Sequence, residues 1–275
     1  MNNSYHINSR SEIALIYNDT SVLENYHISE TYKLLKKPEF NIFENYDKDE
    51  SNIIRKRIIQ CILATDMSFH TKMCVNMRLK LTNMQIDQGK NVDKLVKQLE
   101  TSFSKFDAKQ EILSLSLHAA DLGHNTKVFK VTQTWAYLLT DEFWAQGDLE
   151  KQENLPVSFL CDRNTANIPK SQVGFIREII IPCFNLLENI FPGTAYLVSN
   201  AKENMNNWNK IDMENFNKLD IELKKKKDNE KIEKKEKDDK IDKIGNDHKD
   251  DKDIKDIKDK NDKNDKNDKK TNMIK

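Results

Sequence analysis

Scarcity of glycine and proline is the feature that most limits the folds open to this chain. Its 275 residues include 6 Gly and 5 Pro, and no stretch alternates apolar and polar residues as a half-buried strand does. Apolar residues instead recur every three or four positions, which is the spacing of one helix face. Ile54 and Ile58 follow this spacing in one segment, and Ile112, Leu115 and Ala119 follow it in another. The sequence therefore predicts an all-α fold of packed helices.

Two further segments have helical patterns with identifiable interruptions. The stretch TWAYLLTDEFWAQGD predicts a helix that ends at Gly147, since glycine is common just past the end of a helix. Residues 171–191 predict a long amphipathic helix in which Pro182 makes a kink, because proline removes a helical hydrogen bond. Residues 86–108 are polar and charged, and the pattern leaves open whether they are helical and where a helix would begin or end.

The composition changes abruptly near residue 224. From there to the end the chain consists almost entirely of Lys, Asp, Asn, Glu and Ile, with the short repeat NDKNDKNDKK. Such a segment cannot bury enough apolar surface to offset the entropy of ordering. We expect a helical domain over residues 1–223 and a disordered tail over 224–275. Acidic residues alternate with the lysines, so no nucleic-acid partner is predicted.

Cysteine usage and hydropathy bear on the compartment. Cys61, Cys74, Cys161 and Cys183 show no C-x-x-C spacing and lie in apolar helical context, which predicts reduced core residues. No apolar run reaches the length of a membrane span, and no signal peptide begins the chain. The expectation is a cytoplasmic chain without a membrane span, although its parent protein could be anchored through other segments.

The stretch HAADLGHNTK places His118, Asp121 and His124 around a predicted helix end. A carboxylate there suits a divalent cation. An Asp at a helix end is more often a cap or an ion-pair partner, and a His on an apolar helix is more often a hydrogen-bonded core residue. The six histidines include no H-x-x-x-H pair, whereas a catalytic zinc usually has three protein ligands. These residues alone leave a metal site and a structural role open.

A set of motifs in order resembles the catalytic domain of class I cyclic nucleotide phosphodiesterases. The stretches that carry the resemblance are SEIALIYNDTSVLENYH, ILATDMSFH, LHAADLGHNTK, DEFWAQGD and SQVGFI, and the match runs from about Asn3 to Phe191. The resemblance implies a compact, all-helical phosphodiesterase domain. It implies hydrolysis of the 3′ phosphoester of cyclic AMP or cyclic GMP to the 5′-monophosphate, with two divalent cations, zinc plus magnesium or manganese, as cofactors.

The same resemblance implies roles for individual residues. Asp121 corresponds to a metal ligand that bridges both cations, and Glu24 and Thr65 correspond to positions that hold metal-bound waters. Gln172 corresponds to the glutamine whose amide binds the purine, and Phe175 to the aromatic that stacks on it. Further positions that line the nucleotide pocket correspond to Met67, Leu122, His124, Trp135, Leu139, Phe143 and Leu160. The alternatives are that Trp135, Phe143 and Phe175 are core residues and that Gln172 caps a helix, but the intact motif around Gln172 and Phe175 favours the functional roles.

The sequence departs from the family over residues 81–110, which are longer than the corresponding family segment and are predicted to form a surface insertion. It also departs at the upstream metal motifs. The family's other metal ligands and its proposed general acid lie in H-x-x-x-H and H-D-x-x-H-P-G motifs, and neither motif occurs here. We therefore expect no catalytic residue within this chain, the histidines being supplied by a segment upstream of Met1. Two hypotheses follow: an N-terminally truncated part of a phosphodiesterase, or a non-catalytic helical module that binds a nucleotide or a protein. A homodimer is compatible with either.

Overall fold

The computed structural model describes residues 1–83 and 105–218, and every regular element in these two ranges is helical. The all-α prediction is therefore confirmed. The first half contains α1 (Asn3–Asn8), α2 (Glu12–Ile16), α3 (Val22–Leu35), α4 (Lys48–Leu63) and α5 (His70–Asn83). The second half contains α6 (Lys105–Asp121), α7 (Phe129–Gln152), α8 (Ile168–Phe175), α9 (Ile181–Ile190) and α10 (Ala195–Trp208).

Local sequence explains where several helices begin. Asn2 precedes α1, and its side-chain oxygen accepts a hydrogen bond from the Tyr5 backbone N–H over 2.9 Å. Asp47 precedes α4 and forms a reciprocal capping box with Glu50, which satisfies backbone donors that a helix start leaves free. Helix α8 begins after Asn167, whose side chain accepts from the Lys170 backbone N–H. Short polar residues therefore set these boundaries.

The core lies among the later helices. The buried residues there include Leu115 on α6, Ile176, Ile180 and Ile190 around α9, and Trp208 on α10. The apolar face predicted for α6 is confirmed, because Ile112, Leu115 and Ala119 are buried. Helix α4 differs: it packs against α3 and α6, but none of its residues is fully buried, and Ile53 is half exposed. Its predicted face is thus only partly covered by the described residues.

The predicted helix end at Gly147 is wrong. Helix α7 continues through Gly147 to Gln152, and Gly147 is buried in its interior. A Cβ at this position would lie 1.9 Å from the backbone oxygen of Cys161. Glycine is present because the following loop passes directly against the helix, so this glycine marks a close approach of two backbones and not a helix terminus.

The helical stretch around Pro182 contains a π-helical turn. Residues Ile176–Ile180 connect α8 to α9, and the backbone N–H of Ile181 bonds to the carbonyl of Ile176, five residues earlier. Pro182 follows directly, in the first turn of α9, where its missing N–H is tolerated. The interruption predicted at Pro182 thus takes the form of a widened turn just before it.

Some predictions fall where the structure gives no description. Most of the predicted insertion over 81–110 lies outside the described residues, although α6 already begins at Lys105. The predicted tail over 224–275 also lies outside them. The unit that includes all the helices above spans Met1–Phe216. In the described ranges, no helix combines the length and apolarity that crossing a bilayer requires.

Candidate functional site

Asp121 is the last residue of α6 and is exposed to solvent. A 3-10 turn over Gly123–Thr126 follows, so the predicted helix end is confirmed. Free carbonyls at a helix C-terminus and the Asp121 carboxylate together make this corner negative. The arrangement therefore favours a cation.

His118, one turn before Asp121, faces the core instead. Its side chain is buried, with Nδ1 2.8 Å from the carbonyl oxygen of Ala64 and Nε2 2.9 Å from Nδ1 of His70. Desolvation by burial is the main cause that lowers the pKa of His118, so the imidazole is neutral near pH 7. The structural alternative, a hydrogen-bonded core histidine, describes His118 correctly.

His124 lies on the turn after Asp121 and is half buried. Burial lowers the pKa of His124, and the nearby charge of Asp121 opposes that shift. The Asn125 amide nitrogen is 3.1 Å from Nε2 of His124, and the Trp135 ring centroid is 6.2 Å from that of His124. Because Nε2 of the neutral imidazole is hydrogen-bonded to Asn125, Nδ1 is the ring nitrogen that can interact with a ligand.

A single cavity of about 1770 Å³ opens beside this corner. It is lined by most of the residues that the family motifs singled out, namely Met67, Asp121, Leu122, His124, Trp135, Leu139, Phe143, Leu160, Gln172 and Phe175. The volume exceeds the roughly 300–1,000 Å³ of pockets that enclose one drug-sized ligand. A single drug-sized ligand would therefore fill only part of it.

Two helices supply most of the apolar wall. Trp135, Leu139 and Phe143 are spaced by four residues on α7 and so share one face. Gln172 and Phe175 are spaced by three on α8 and also share one face. Trp135 is 49% exposed, which is high for a large aromatic side chain and shows that this wall is open rather than part of the core.

The loop after α7 closes one side of the cavity and depends on Glu150. Glu150 is fully buried, and its carboxylate accepts hydrogen bonds from the Ser158 backbone N–H over 2.7 Å, from the Ser158 hydroxyl and from the Gln146 amide. Leu160, two residues after Ser158, adopts a left-handed backbone with φ of 62°. A non-glycine residue in that region is strained, so fixed neighbours are needed to hold it.

The turn after Asp121 is held from the opposite side by α10. The Asn204 amide nitrogen lies 2.9 Å from the Asn125 carbonyl oxygen and 2.8 Å from that of Lys127. Asn200 donates to the carbonyl oxygen of Thr126 over 2.9 Å. Sequence reasoning missed these positioning residues, because an asparagine on an amphipathic helix carries no signal of which backbone it will bond.

Glu24 and Thr65 do not line the cavity. The Glu24 carboxylate accepts a hydrogen bond from the Asn3 amide over 3.0 Å, and the Thr65 hydroxyl donates to the carbonyl oxygen of Ile62 over 2.7 Å. Both side chains therefore have protein partners, and their water-holding roles stay predictions.

The described residues do not by themselves fit a two-metal centre at Asp121. Within residues 1–83 and 105–218, the side chains that group closely enough to hold a metal ion are His70, Cys74 and Cys183, and Asp121 is not among them. One exposed carboxylate is too few ligands for a tightly bound zinc ion. The cavity can hold the organic part of a ligand, whereas a two-metal centre would need donors from elsewhere.

Comparisons with known proteins agree on one family. The family model described as 3′5′-cyclic nucleotide phosphodiesterase matches residues 1–201. The chain is 42% identical over 188 residues to a dual specificity calcium/calmodulin-dependent 3′,5′-cyclic nucleotide phosphodiesterase 1B of Bos taurus, an alignment that covers 68% of this chain and 32% of that protein. It is 34% identical over 203 residues to a probable 3′,5′-cyclic-AMP phosphodiesterase of Caenorhabditis elegans, covering 74% of this chain and 29% of that one.

A solved structure gives the same result for the fold. The phosphodiesterase domain of a RhoPDE fusion protein from the choanoflagellate Salpingoeca rosetta superposes with a TM-score of 0.67 at 33% identity, over 76% of this chain and 62% of that one. The chain thus spans roughly a third of the length of the curated relatives it matches.

Proposed function

Because the chain belongs to the 3′,5′-cyclic nucleotide phosphodiesterase family, we propose that its large cavity binds a cyclic nucleotide. The chain is then the part of a phosphodiesterase catalytic domain that holds the base and presents Asp121 to the phosphate. Cyclic AMP and cyclic GMP are both candidates, since a glutamine amide can rotate to suit either purine.

One observation carries this proposal. Motif residues from widely separated parts of the chain line the same cavity. They lie on the Met67–Phe69 turn, at the end of α6, on α7, in the loop that contains Leu160, and on α8. Core residues would instead be spread through the interior and buried. The partial exposure of Met67 and Trp135 favours contact with a ligand over a purely structural role.

Gln172 is the proposed base-recognition residue. It lines the cavity, is only half buried, and no side chain among the described residues is hydrogen-bonded to its amide. An amide offers a donor and an acceptor side by side, which matches the edge of a purine. Phe175 lies one turn further along the same face of α8 and supplies a surface for stacking.

We propose that hydrolysis of the 3′ ester requires metal ligands in addition to Asp121, supplied by other residues of a longer protein. Two divalent cations, zinc with magnesium or manganese, would polarise the phosphate and lower the pKa of a bound water. Asp121 would be this chain's contribution to their coordination. The competing hypothesis, a binding module without turnover, is supported by the position of Asp121 outside the one group of three or more metal-ligating side chains that the described ranges bring together. A homodimer and a cytoplasmic location stay predictions.

The test is direct binding by isothermal titration calorimetry on the 275-residue chain with cyclic AMP and cyclic GMP. We expect saturable binding, and a several-fold higher Kd for Gln172→Ala, since each lost hydrogen bond is worth about 0.5–1.5 kcal/mol. Gln152→Ala is the matched control, because Gln152 is an exposed glutamine on α7 that does not line the cavity. Absence of binding at millimolar nucleotide, or equal Kd values for both variants, would refute the proposal.

A further inference from the structure

Three side chains of the types that commonly ligate metal ions lie close together in the core between α5 and α9. His70 and Cys74 are one turn apart on α5, and Cys183 reaches them from α9. All three are buried, at 4%, 7% and 0% exposure, and their ligand atoms lie within 4.8 Å of one another. The cluster does not involve Asp121 or the cavity beside it.

The hydrogen bonds of two histidines orient the free nitrogen of His70. The carbonyl oxygen of Ala64 can only accept, so Nδ1 of His118 donates to it and Nε2 of His118 has a lone pair. Nδ1 of His70 must then donate to Nε2 of His118. In the neutral form of His70 this arrangement gives the lone pair to Nε2, which lies 3.8 Å from the Cys74 sulfur. Metal-binding histidines are commonly fixed in this way by a partner on their other nitrogen.

The spacing of the donor atoms suits one ion. With metal–sulfur and metal–nitrogen bonds of about 2.3 and 2.0–2.1 Å, the two donor atoms are about 3.6 Å apart at a tetrahedral angle and about 3.8 Å at a trigonal angle. The observed separation between Cys74 Sγ and His70 Nε2 is 3.8 Å. No backbone movement is needed to bring these two donors to one centre.

The contact between the two sulfurs affects Cys74 and Cys183 in opposite directions. A hydrogen bond from Cys183 is the main cause that lowers the pKa of Cys74 to about 5, and His70 adds to it. The same contact and burial raise the pKa of Cys183. Thiolate is the form that binds metal, so binding of one ion by both sulfurs would release their protons to solvent.

From this geometry we propose that Nε2 of His70 and the thiolates of Cys74 and Cys183 bind one thiophilic d10 metal ion, with Zn²⁺ the expected occupant. Two thiolates, a neutral imidazole and Zn²⁺ sum to zero charge, which is the least costly state to bury. Cu⁺ also prefers sulfur ligands, but it would leave a net negative charge in the core. The ion would tie α5 to α9 and so stabilise the fold.

The competing explanation is a metal-free hydrogen-bonded trio, in which Cys183 donates to Cys74 and Cys74 in turn interacts with His70. A disulfide between Cys74 and Cys183 is a second alternative. Both predict no bound metal, and the disulfide also predicts a mass lower by two hydrogens. These outcomes separate them from the proposal.

The experiment measures metal in the full 275-residue chain, purified without an affinity tag under reducing conditions after expression with added Zn²⁺ or, in a parallel culture, copper. We expect about one metal ion per chain by mass spectrometry of the digested protein. X-ray absorption at the metal edge should show sulfur at about 2.3 Å and nitrogen at about 2.0 Å in the unmodified protein. Metal in only one culture identifies the ion.

Variants locate the site. Cys74→Ser and Cys183→Ser should each lower the metal content at least tenfold, whereas Cys161→Ser, a buried free cysteine outside the cluster, should keep it. Asp121→Asn should also keep it, which separates this site from any ion at the nucleotide cavity. Absence of metal in the unmodified protein from both cultures overturns the proposal, as does a spectrum without sulfur ligands or equal metal content in all variants.

Discussion

The amide of Asn204 donates to the backbone carbonyl of Asn125 over 2.9 Å, so α10 fixes the turn that carries His124. The same nitrogen lies 2.8 Å from the Lys127 carbonyl oxygen, and Asn204 is 2% exposed. A side chain far along the sequence thereby holds the residues that follow Asp121.

Asn204→Ala should lower the free energy of unfolding by about 1–3 kcal/mol, because it leaves buried carbonyls without a donor. Cyclic nucleotide binding should weaken as well, since the His124 turn loses its support. Urea unfolding monitored by circular dichroism measures the first effect. Asn206→Ala, an exposed asparagine on the same helix, is the control and should be neutral. Equal stability of the two variants would show that the contact contributes nothing.

Glu150→Ala should destabilise the protein by at least as much. It removes the acceptor for the Ser158 N–H, for the Ser158 hydroxyl and for the Gln146 amide, and one unsatisfied buried donor costs about 1–3 kcal/mol. Limited proteolysis should cut near Ser158 sooner in the variant. Glu142→Ala provides the comparison, because the Glu142 side chain is 65% exposed. Unchanged cleavage would mean that the loop is held by other contacts.

Gly147→Ala and Gly174→Ala should have opposite effects on thermal stability. A Cβ at Gly147 meets the Cys161 carbonyl oxygen, and overpacking of this kind costs about 1–3 kcal/mol. A Cβ at Gly174, within α8, meets nothing within 4 Å, so alanine there should be neutral or stabilise by up to about 1 kcal/mol. A Gly147→Ala protein with an unchanged Tm would contradict the close approach of the two backbones.

Removal of residues 224–275 should leave the Tm unchanged within a few degrees, whereas Phe216→Ala should lower it strongly. Phe216 is fully buried, and its ring centroid is 4.4 Å from that of Tyr137, so its loss costs about 3–5 kcal/mol. The charge-dense composition of the tail predicts no comparable packing. A large drop in Tm on truncation alone would show that the tail contributes to the fold.

The 275-residue chain should hydrolyse neither cyclic AMP nor cyclic GMP at a detectable rate. Asp121 alone cannot hold two cations, so no bound hydroxide is expected at neutral pH. Product formation is measured by chromatography with added Mg²⁺, Mn²⁺ and Zn²⁺. Turnover that needs added metal and disappears in Asp121→Asn would disprove this expectation and establish a working site within the chain.

Helix positions were predictable from sequence where apolar periodicity was strong, as for α6 and α9. The residues that line the cavity were predicted from family motifs. A motif indicates which distant residues lie together in the fold, whereas the spacing of apolar residues indicates only local secondary structure. Gly147 was misassigned because glycine has two uses, at helix ends and at close backbone approaches, and only the position of Cys161 distinguishes them. The Glu150 and Asn204 contacts, and the meeting of His70 with Cys183, depend on how distant helices pack, which local patterns do not encode.

The widened turn over Ile176–Ile180 separates two rotational registers along one continuous helical rod. Each residue of an α-helix advances the side-chain direction by about 100°, so a turn that holds one extra residue offsets everything after it. Gln172 and Phe175 before the turn line the cavity, while Cys183 and Leu186 after it are buried. In a regular α-helix through the same sequence, Cys183 and Leu186 would be rotated toward the side on which Gln172 and Phe175 lie. The one extra residue in the turn therefore allows a continuous helical segment to line the open cavity in its first part and to pack in the core in its second.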